Sequence, residues 1–460
     1  MGNRCDVLYI HATKNPTGED RLKYAFMPVG IIGILNDLRS RGIRVLGMNY
    51  AIEKALDPDF DLDQFLADTE YKVLLTDLHW YEHSLGAMYT VERSKAVHPH
   101  IPTVIGGYTT TIYAEEILEN FPGVDYAVTG DSDLPMALLA DSLLGRSDMA
   151  PMEIPNLVFR SGGAVVRSAS TWTQTDLDGI DFLPVDFFIH DEYIPVLSAG
   201  GITGRTKERW LCIARGCKFD CAYCCGGNHN MQALFRRCNV LTRSPEKVAE
   251  DFYRLTQMGI RRISPTHDFQ MFGKQYYQDI FARIRQTGVK PGLYLECFQL
   301  PTKAYIDDML QTFDPEKMVL AISPISGNEQ LRRENGKLFS NEDFYEIVSY
   351  IMEKKIVLQL YYTLNLVGET REQFHDTYFQ MSYMRNVMGL ERKHVFYQRV
   401  VIDPLAGMRQ FPDIEVQLNT FMDYYRYCHI PTGDFTLTGY TDNGQVPAEE
   451  KMQMYKGLYG

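Results

Sequence analysis

The chain has 460 residues, 45% of them apolar, and a formal net charge of −13. That length predicts two or three domains with filled cores. The acidic balance argues against a general nucleic-acid binder, which needs a basic face, and no apolar run is long enough to span a membrane. The first residues lack the apolar core of a signal peptide. Nine cysteines, three of them clustered, fit reduced thiols in a cytoplasmic setting better than a disulfide framework.

Residues 6–11 read as a buried strand around Val7-Leu8-Tyr9-Ile10, followed by a polar loop with Pro16 and Gly18. Pro28-Val29-Gly30 opens a helix over 31–41, with Ile31, Ile34, Leu35 and Leu38 at helical spacing. Gly42 stops it. Residues 43–48 and 71–76 are further strands, the second ending at Asp77-Leu78-His79-Trp80. A helix over 88–97 precedes a fourth strand that runs into Gly106-Gly107. A helix over 114–120 then precedes Tyr126-Ala127-Val128 and Gly130-Asp131. Strands alternating with helices predict a parallel, doubly wound, flavodoxin- or Rossmann-like sheet over residues 1–145. Ligands of such sheets bind beyond the carboxyl ends of the strands. Gly106 and Gly107 would let backbone approach a bulky ligand with no Cβ in the way.

Residues 146–204 read as a connector. Ser161-Gly162-Gly163 marks a hairpin, and the acidic, turn-rich stretch 176–184 is the expected linker. A second α/β domain follows over 205–408. Its first strand, 209–214, delivers Cys217-Lys218-Phe219-Asp220-Cys221-Ala222-Tyr223-Cys224. Later strands end at Thr266-His267-Asp268, carry Glu296 and Cys297, and end at Ser326-Gly327, at Gly368-Glu369-Thr370 (strand 356–365) and at Asp403-Pro404. Six strand–helix units predict an open (β/α)6 barrel, TIM-like and partial, with its site at the carboxyl ends. Residues 409–460, rich in aromatics such as Phe421, Tyr424, Phe435 and Tyr440, predict a small helical cap.

Three thiols within eight residues carry the chemistry. Thiolates are soft ligands that suit iron–sulfur clusters and zinc. Four-iron clusters are usually held by four cysteines, so three on one loop imply one iron left open. Zinc would want a fourth ligand, which Cys225, His229 or Cys238 could supply, and Cys225 could also compete for the cluster.

The CxxxCxxC spacing, with Tyr223 just before the last cysteine, resembles the signature loop of the radical S-adenosylmethionine (SAM) enzymes. Residues 1–145 resemble the cobalamin-binding domain that precedes many radical SAM barrels: a strand, Pro28-Val29-Gly30 before a helix, then Gly106-Gly107 and Gly130-Asp131. Val367-Gly368-Glu369-Thr370 is similar to the family's GxPGE-type turn, with Val in place of Pro. The resemblance implies a 4Fe-4S cluster on Cys217, Cys221 and Cys224, with SAM chelated at the open iron and split to methionine and a 5′-deoxyadenosyl radical. It further implies cofactor contacts at Tyr223, Asp268, Glu296, Ser326, Arg332 and Gly368, and cobalamin contacts at Gly106, Gly107, Trp80 and Tyr81. The loop His11-Ala12-Thr13-Lys14-Asn15-Pro16 lacks the DxHxxG of many cobalamin domains. A cobalt without a strong histidine ligand is therefore expected, with Trp80 and Tyr81 on that side and His79 and His83 as the alternatives.

On residue grounds alone, Gly368-Glu369 is equally a strand-to-helix turn, Arg332 a solvated helix residue, and Glu296 a carboxylate paired with a barrel arginine. The implied activity is modification of an unactivated carbon of a small-molecule or peptide substrate. Methyl transfer leads, supported by an electron donor such as flavodoxin or ferredoxin. The alternatives are radical rearrangement, cyclisation or transfer of another SAM-derived group, and a non-enzymatic iron–sulfur or corrinoid carrier.

Overall fold

The structure, a computed structural model, describes residues 4–17, 25–190, 193, 207–363, 366–411, 414–430, 439–442 and 446–460. Gly18, Asn365, Phe435 and connector residues 191–192 and 194–204 lie outside the described residues. The chain forms two compact units. One is Met1–Arg209 with Gln232–Arg237 and Asn419–Pro431; the other is Trp210–Met231 with Cys238–Leu418 and Thr432–Gly460. Among the described residues no helix is long and apolar enough to cross a membrane.

The first unit runs β1 (Val7–His11), α1 (Val29–Ser40), β2 (Val45–Asn49), α2 (Tyr50–Leu56), α3 (Leu62–Asp68), β3 (Val73–Asp77), α4 (Ser84–Val97), β4 (Thr103–Gly106), α5 (Tyr108–Asn120), β5 (Tyr126–Val128), α6 (Asp133–Leu143), β6 (Leu157–Ser161) and β7 (Ala164–Arg167). The sheet order is β2-β1-β3-β4-β5-β6-β7. The first five strands pair in parallel, and the hairpin β6–β7 adds antiparallel to β5. The hairpin anticipated inside the connector is thus an extension of this sheet. Every residue of β1 and β3 is buried, as expected for parallel strands covered on both faces. The stripe Ile31, Ile32, Leu35 and Leu38 of α1 packs into one of the covering cores. Helices α2 and α3 are held at their starts by side chains. Asn49 accepts from the Ile52 N–H, and Asp61 accepts from Asp63 and Gln64.

The second unit begins within β8 (Glu208–Leu211) and continues with β9 (Ala214–Arg215), α7 (Asn228–Phe235), β10 (Leu241–Thr242), α8 (Pro245–Gln257), β11 (Arg262–Pro265), α9 (Lys274–Gln286), β12 (Tyr294–Cys297), α10 (Lys303–Thr312), β13 (Val319–Ile325), α11 (Glu329–Glu334), α12 (Asn341–Glu353), β14 (Val357–Thr363), α13 (Arg371–Asn386) and β15 (Val395–Gln398). Strand β8 lies beside β11, a bridge from Ile263 to Leu293 carries the order to β12, and β12-β13-β14-β15 are parallel in sequence order. Six strands in chain order with helices between them give the open (β/α)6 arrangement.

The tail holds β16 (Ile414–Val416), α14 (Phe421–Cys428), β17 (Tyr440–Asp442) and α15 (Ala448–Tyr459). It is shared out rather than gathered in one cap. Residues 419–431 count in the first unit, where Phe421 and Tyr424 pack on Tyr113 and Phe421 also on Phe121. Helix α15 lies on α13 in the second unit.

Along β12–β15 side chains alternate between two faces. Leu295, Cys297, Leu320, Ile322, Leu358, Leu360, Val395 and Tyr397 are buried. The alternate positions line the inner face. Tyr294, Val319 and Ala321 are covered, Gln359, Tyr361 and Phe396 are half-buried, and Glu296 and Gln398 are exposed.

Candidate functional site

The cysteine loop leaves β9 through Gly216, whose φ of 95° suits glycine. Asp220 ends the loop by accepting the His229 N–H at 2.8 Å at the start of α7. Cys217, Cys221 and Cys224 are all half-buried. The Cys217 Sγ accepts the Phe219 N–H at 3.5 Å, and the Cys224 Sγ accepts the Gly226 N–H at 3.2 Å. Gly336, at φ 91°, lies against Cys221. A Cβ there would fall 2.9 Å from the Cys221 Cα and 3.1 Å from its Sγ. Burial pushes the Cys217 thiol up, and burial with the Asp403 carboxylate pushes Cys224 up to about 12. A positively charged iron cluster would reverse that cost by binding the thiolates.

Among the described residues no three His, Cys, Asp or Glu side chains converge on one metal-sized centre. A four-iron cluster places each thiolate on a different iron and asks for no such convergence. The donor set, the two N–H groups on sulfur and the glycine against Cys221 therefore fit a cluster. Cys225 is turned to a different partner. Its N–H lies 3.4 Å from the Asp403 Oδ2 and its thiol also bonds that carboxylate. The loop after β15 clasps the cysteine loop at further points. Asn230 donates to the carbonyls of Cys225 and Leu405 at 2.8 and 2.9 Å, and the Met408 N–H donates to Ala222 at 2.7 Å. Leu405 holds a φ of 60°, a left-handed conformation rare for leucine. Tyr223 packs on Ile325, Leu331 and Leu366.

The remaining barrel positions separate into supports and open groups. Asp268 is buried, its Oδ1 taking the Gln270 N–H at 3.0 Å and the Tyr305 hydroxyl at 3.1 Å. Desolvation pushes its carboxyl up to about 6. Ser326 is buried against Thr377 at 3.0 Å. Arg332 is fully buried, contrary to its reading as a solvated residue. Its guanidinium donates to the carbonyls of Ser326 and Phe339, each at 3.0 Å, and to Asn341 at 2.8 Å. It fastens the turn after β13, with Nε, both hydrogens of Nη1 and one of Nη2 engaged. Gly368 is exposed at φ 77°, with nothing within 4 Å of where a Cβ would stand, so the backbone angle alone asks for glycine. Glu369, beside it, forms a wholly buried ion pair with Lys451 and receives the Thr377 hydroxyl.

Glu296 is the exception. It is exposed on the inner face and makes no hydrogen bond or ion pair among the described residues. No arginine pairs with it among the described residues. Lys337, the cation that pulls the Glu296 carboxyl down against the upward push of desolvation, donates to the Phe298 carbonyl at 2.8 Å. Asp403, Gly336, Lys337 and Lys451 were not singled out from sequence. Each acts through a partner tens of residues or more away along the chain, and no local motif marks them.

At the strand ends of the first unit, Asp77 Oδ1 receives the Tyr9 hydroxyl at 2.7 Å and lies 2.8 Å from the His11 Nδ1. Desolvation pushes the Asp77 carboxyl up, but His11 and His83 pull it down to about 2. The His83 ring lies 5.0 Å from that of His11, and burial lowers His79 to about 4. Gly107 does not leave room for a ligand. At φ 120°, its Cβ would meet the backbone of Leu78 and His79 at 2.7 Å. Gly106 does leave room, with only the Val128 carbonyl at 3.6 Å. Tyr81 is buried against Tyr424 at 4.8 Å, whereas Trp80 is 38% exposed. An exposed indole and an unfilled glycine position at these strand ends fit a flat, bulky ligand.

Residues 20–140 match the B12 binding domain family. Over 304 residues the chain is 24% identical to the anaerobic magnesium-protoporphyrin IX monomethyl ester cyclase of Cereibacter sphaeroides, which covers 63% of this chain and 46% of that protein. The chain thus spans less than half the length of that curated relative. Its fold matches two structures of the radical S-adenosylmethionine methyltransferase TsrM from Kitasatospora setae, one with cobalamin and a 4Fe-4S cluster bound, the other with tryptophan substrate and a SAM analog. The TM-scores are 0.70 and 0.69 at 14% and 15% identity, over 100% and 99% of this chain and 91% and 89% of those chains. It also matches the cobalamin-dependent SAM radical enzyme OxsB with aqua-cobalamin bound, at TM-score 0.55 and 12% identity over 82% of this chain and 52% of that one. The chain therefore joins a stretch that matches the B12 binding domain family to a fold shared with these cobalamin-dependent radical SAM enzymes.

Proposed function

We propose that the protein is a radical SAM enzyme that modifies an unactivated carbon of a small molecule, most directly by methyl transfer. One observation carries the reading. Cys217, Cys221 and Cys224 share a half-accessible loop with N–H donors on two of their sulfurs, while the fourth nearby thiol, Cys225, is bonded to Asp403. Three thiolates hold a four-iron cluster and leave one iron for SAM. When bound, the cluster supplies the electron that cleaves SAM, and cobalamin supplies a carrier for the methyl group.

The chain's own residues position these groups. The Phe219 and Gly226 N–H groups orient two sulfurs, Gly336 seats Cys221, and the loop after β15 fixes the cysteine loop through Asn230 and Met408. The buried Glu369–Lys451 pair sets the turn at Gly368, where SAM is placed beside Tyr223. In the first unit, Gly106 and Trp80 receive the corrin. The absence of DxHxxG, and the tie of His11 to Asp77, favour a cobalt with no strong histidine ligand. The methyltransferase relative with its tryptophan substrate supports methyl transfer to a small molecule, and the cyclase relative supports cyclisation as the second reading. A flavodoxin- or ferredoxin-type donor would supply electrons.

Anaerobic reconstitution with iron, sulfide and cobalamin tests the proposal. The expected result is a spectrum with both cluster and corrin bands, and turnover of SAM to 5′-deoxyadenosine and S-adenosylhomocysteine. Deoxyadenosine without S-adenosylhomocysteine would replace methyl transfer by the second reading. Absence of both products from a cluster-loaded protein would overturn the enzymatic reading.

A further inference from the structure

Among the described residues, the acids inside the second unit are answered by partners, with Glu296 the exception. Asp268 has Tyr305 and Gln270, Asp251 has Arg243 at 2.6 Å, Glu369 has Lys451, and Asp403 has Cys225. Glu296 projects from the inner face of β12 with no such answer, and its nearest cation is held by the Phe298 carbonyl. Exposed on the inner face, this carboxylate is open to a ligand. A cationic group on the ligand gains charge-assisted hydrogen bonds there, a neutral ligand gains weaker ones, and an anion is repelled.

The register shows what lies beside this carboxylate. Glu296 pairs with Ala321 on β13, and Ala321 pairs with Gln359 on β14. The small Ala321 between them is covered, with Tyr361 packed against it. One inward position further along, Tyr361 pairs with Phe396. Their rings stack at 4.9 Å and 15°, and both are half-buried, with a surface left open. The Tyr361 hydroxyl donates to the Gln359 Oε1 at 3.0 Å and lies 3.5 Å from that of Tyr294. The shelf is thus fixed at its polar end.

We infer that the open end of this barrel binds a substrate with a cationic nitrogen on Glu296 and a flat, apolar body on the Tyr361–Phe396 shelf, that is, an aromatic or similarly planar amine. The inference rests on the proposed function only for what is then done to the substrate; recognition follows from the inner face itself. Charge-assisted hydrogen bonding to Glu296 sets the preference for an amine, and ring stacking sets the preference for a flat body.

The test uses the full chain reconstituted with cluster and cobalamin, in the presence of SAM. Calorimetry measures binding of phenethylamine, 3-phenylpropanol and 3-phenylpropionate. Phenethylamine should bind about tenfold or more tightly than either of the others. Glu296→Gln should remove that advantage while iron content and SAM affinity stay unchanged. Ala321→Leu, which displaces the Tyr361 ring packed on it and keeps the carboxylate, should weaken phenethylamine as well. Equal binding of the three probes, or none, overturns the inference. So does a Glu296→Gln variant that loses SAM affinity instead, since the carboxylate would then belong to SAM. Iron and sulfide content, read in the same samples, reports separately on the radical SAM reading.

Discussion

The strand ends of the two units treat their polar groups in opposite ways. In the first unit, Tyr9, His11 and Asp77 close on one another, and the space at Gly107 is taken by the chain's own backbone. Little side-chain chemistry is left over, so a ligand there meets backbone and ring surface such as Gly106 and Trp80. In the second unit, the supports are closed but the centre is open. Arg332, Asp268 and the Glu369–Lys451 pair are buried and held by partners, whereas three thiols and Glu296 stay accessible. The first arrangement suits a large cofactor gripped over a wide area. The second suits groups that must react or be recognised one atom at a time.

The division between support and centre can be broken most severely at Lys451. Lys451→Met strands Glu369 in a wholly buried site, and losing one partner of such a pair costs about 3–5 kcal/mol. Thermal melts should show the loss. Replacing both partners, Lys451→Met with Glu369→Gln, should recover most of it, because no charge is then left buried. A single variant as stable as the parent would show that the pair supports nothing.

Asp268 sharpens the same division with a smaller effect. Its folded carboxyl, at about 6, lies above the unfolded value of about 3.9. The native state therefore holds the proton more tightly, and stability falls as pH rises between those two values. Asp268→Asn keeps the acceptor for Gln270 and Tyr305 but has no charge to bury. It should match the parent near pH 4 and exceed it by about 2–3 kcal/mol at pH 7, with SAM affinity unchanged. Lost SAM binding would move Asp268 from the supports to the centre.

The smallest effect on stability is expected at Gly106. Gly107→Ala meets the Leu78 and His79 backbone at positive φ and should cost about 1–3 kcal/mol. Gly106→Ala should cost about 1 kcal/mol or less yet weaken cobalamin binding. Cobalamin titrations and denaturant melts on both variants separate the two roles. Unchanged cobalamin affinity in Gly106→Ala would remove that position from the corrin site.

This contrast also explains what was legible in sequence. The strands of both units declared themselves through apolar runs such as Val7-Leu8-Tyr9-Ile10, and the cysteine loop through spacing within eight residues. Helices α2 and α3 have seven residues each, too few to show a stripe, and α6 is apolar around much of its circumference. The place of the hairpin in the first sheet depends on Tyr126 meeting Phe159, which no local pattern encodes. Arg332 looked like surface because its partners are mostly backbone carbonyls, and these leave no mark in a sequence. The open state of Glu296 was hidden for the converse reason: it depends on Lys337, 41 positions along, being engaged elsewhere.

The central claim is that three specific thiols, and not the fourth beside them, hold the cluster. Iron and acid-labile sulfide per chain, measured after anaerobic reconstitution of Cys217→Ala, Cys221→Ala, Cys224→Ala and Cys225→Ala, test it directly. The account predicts that each of the first three variants loses the cluster and all SAM cleavage, while Cys225→Ala keeps the parent's iron content. Full iron in any of the first three, or its loss in Cys225→Ala, would contradict it.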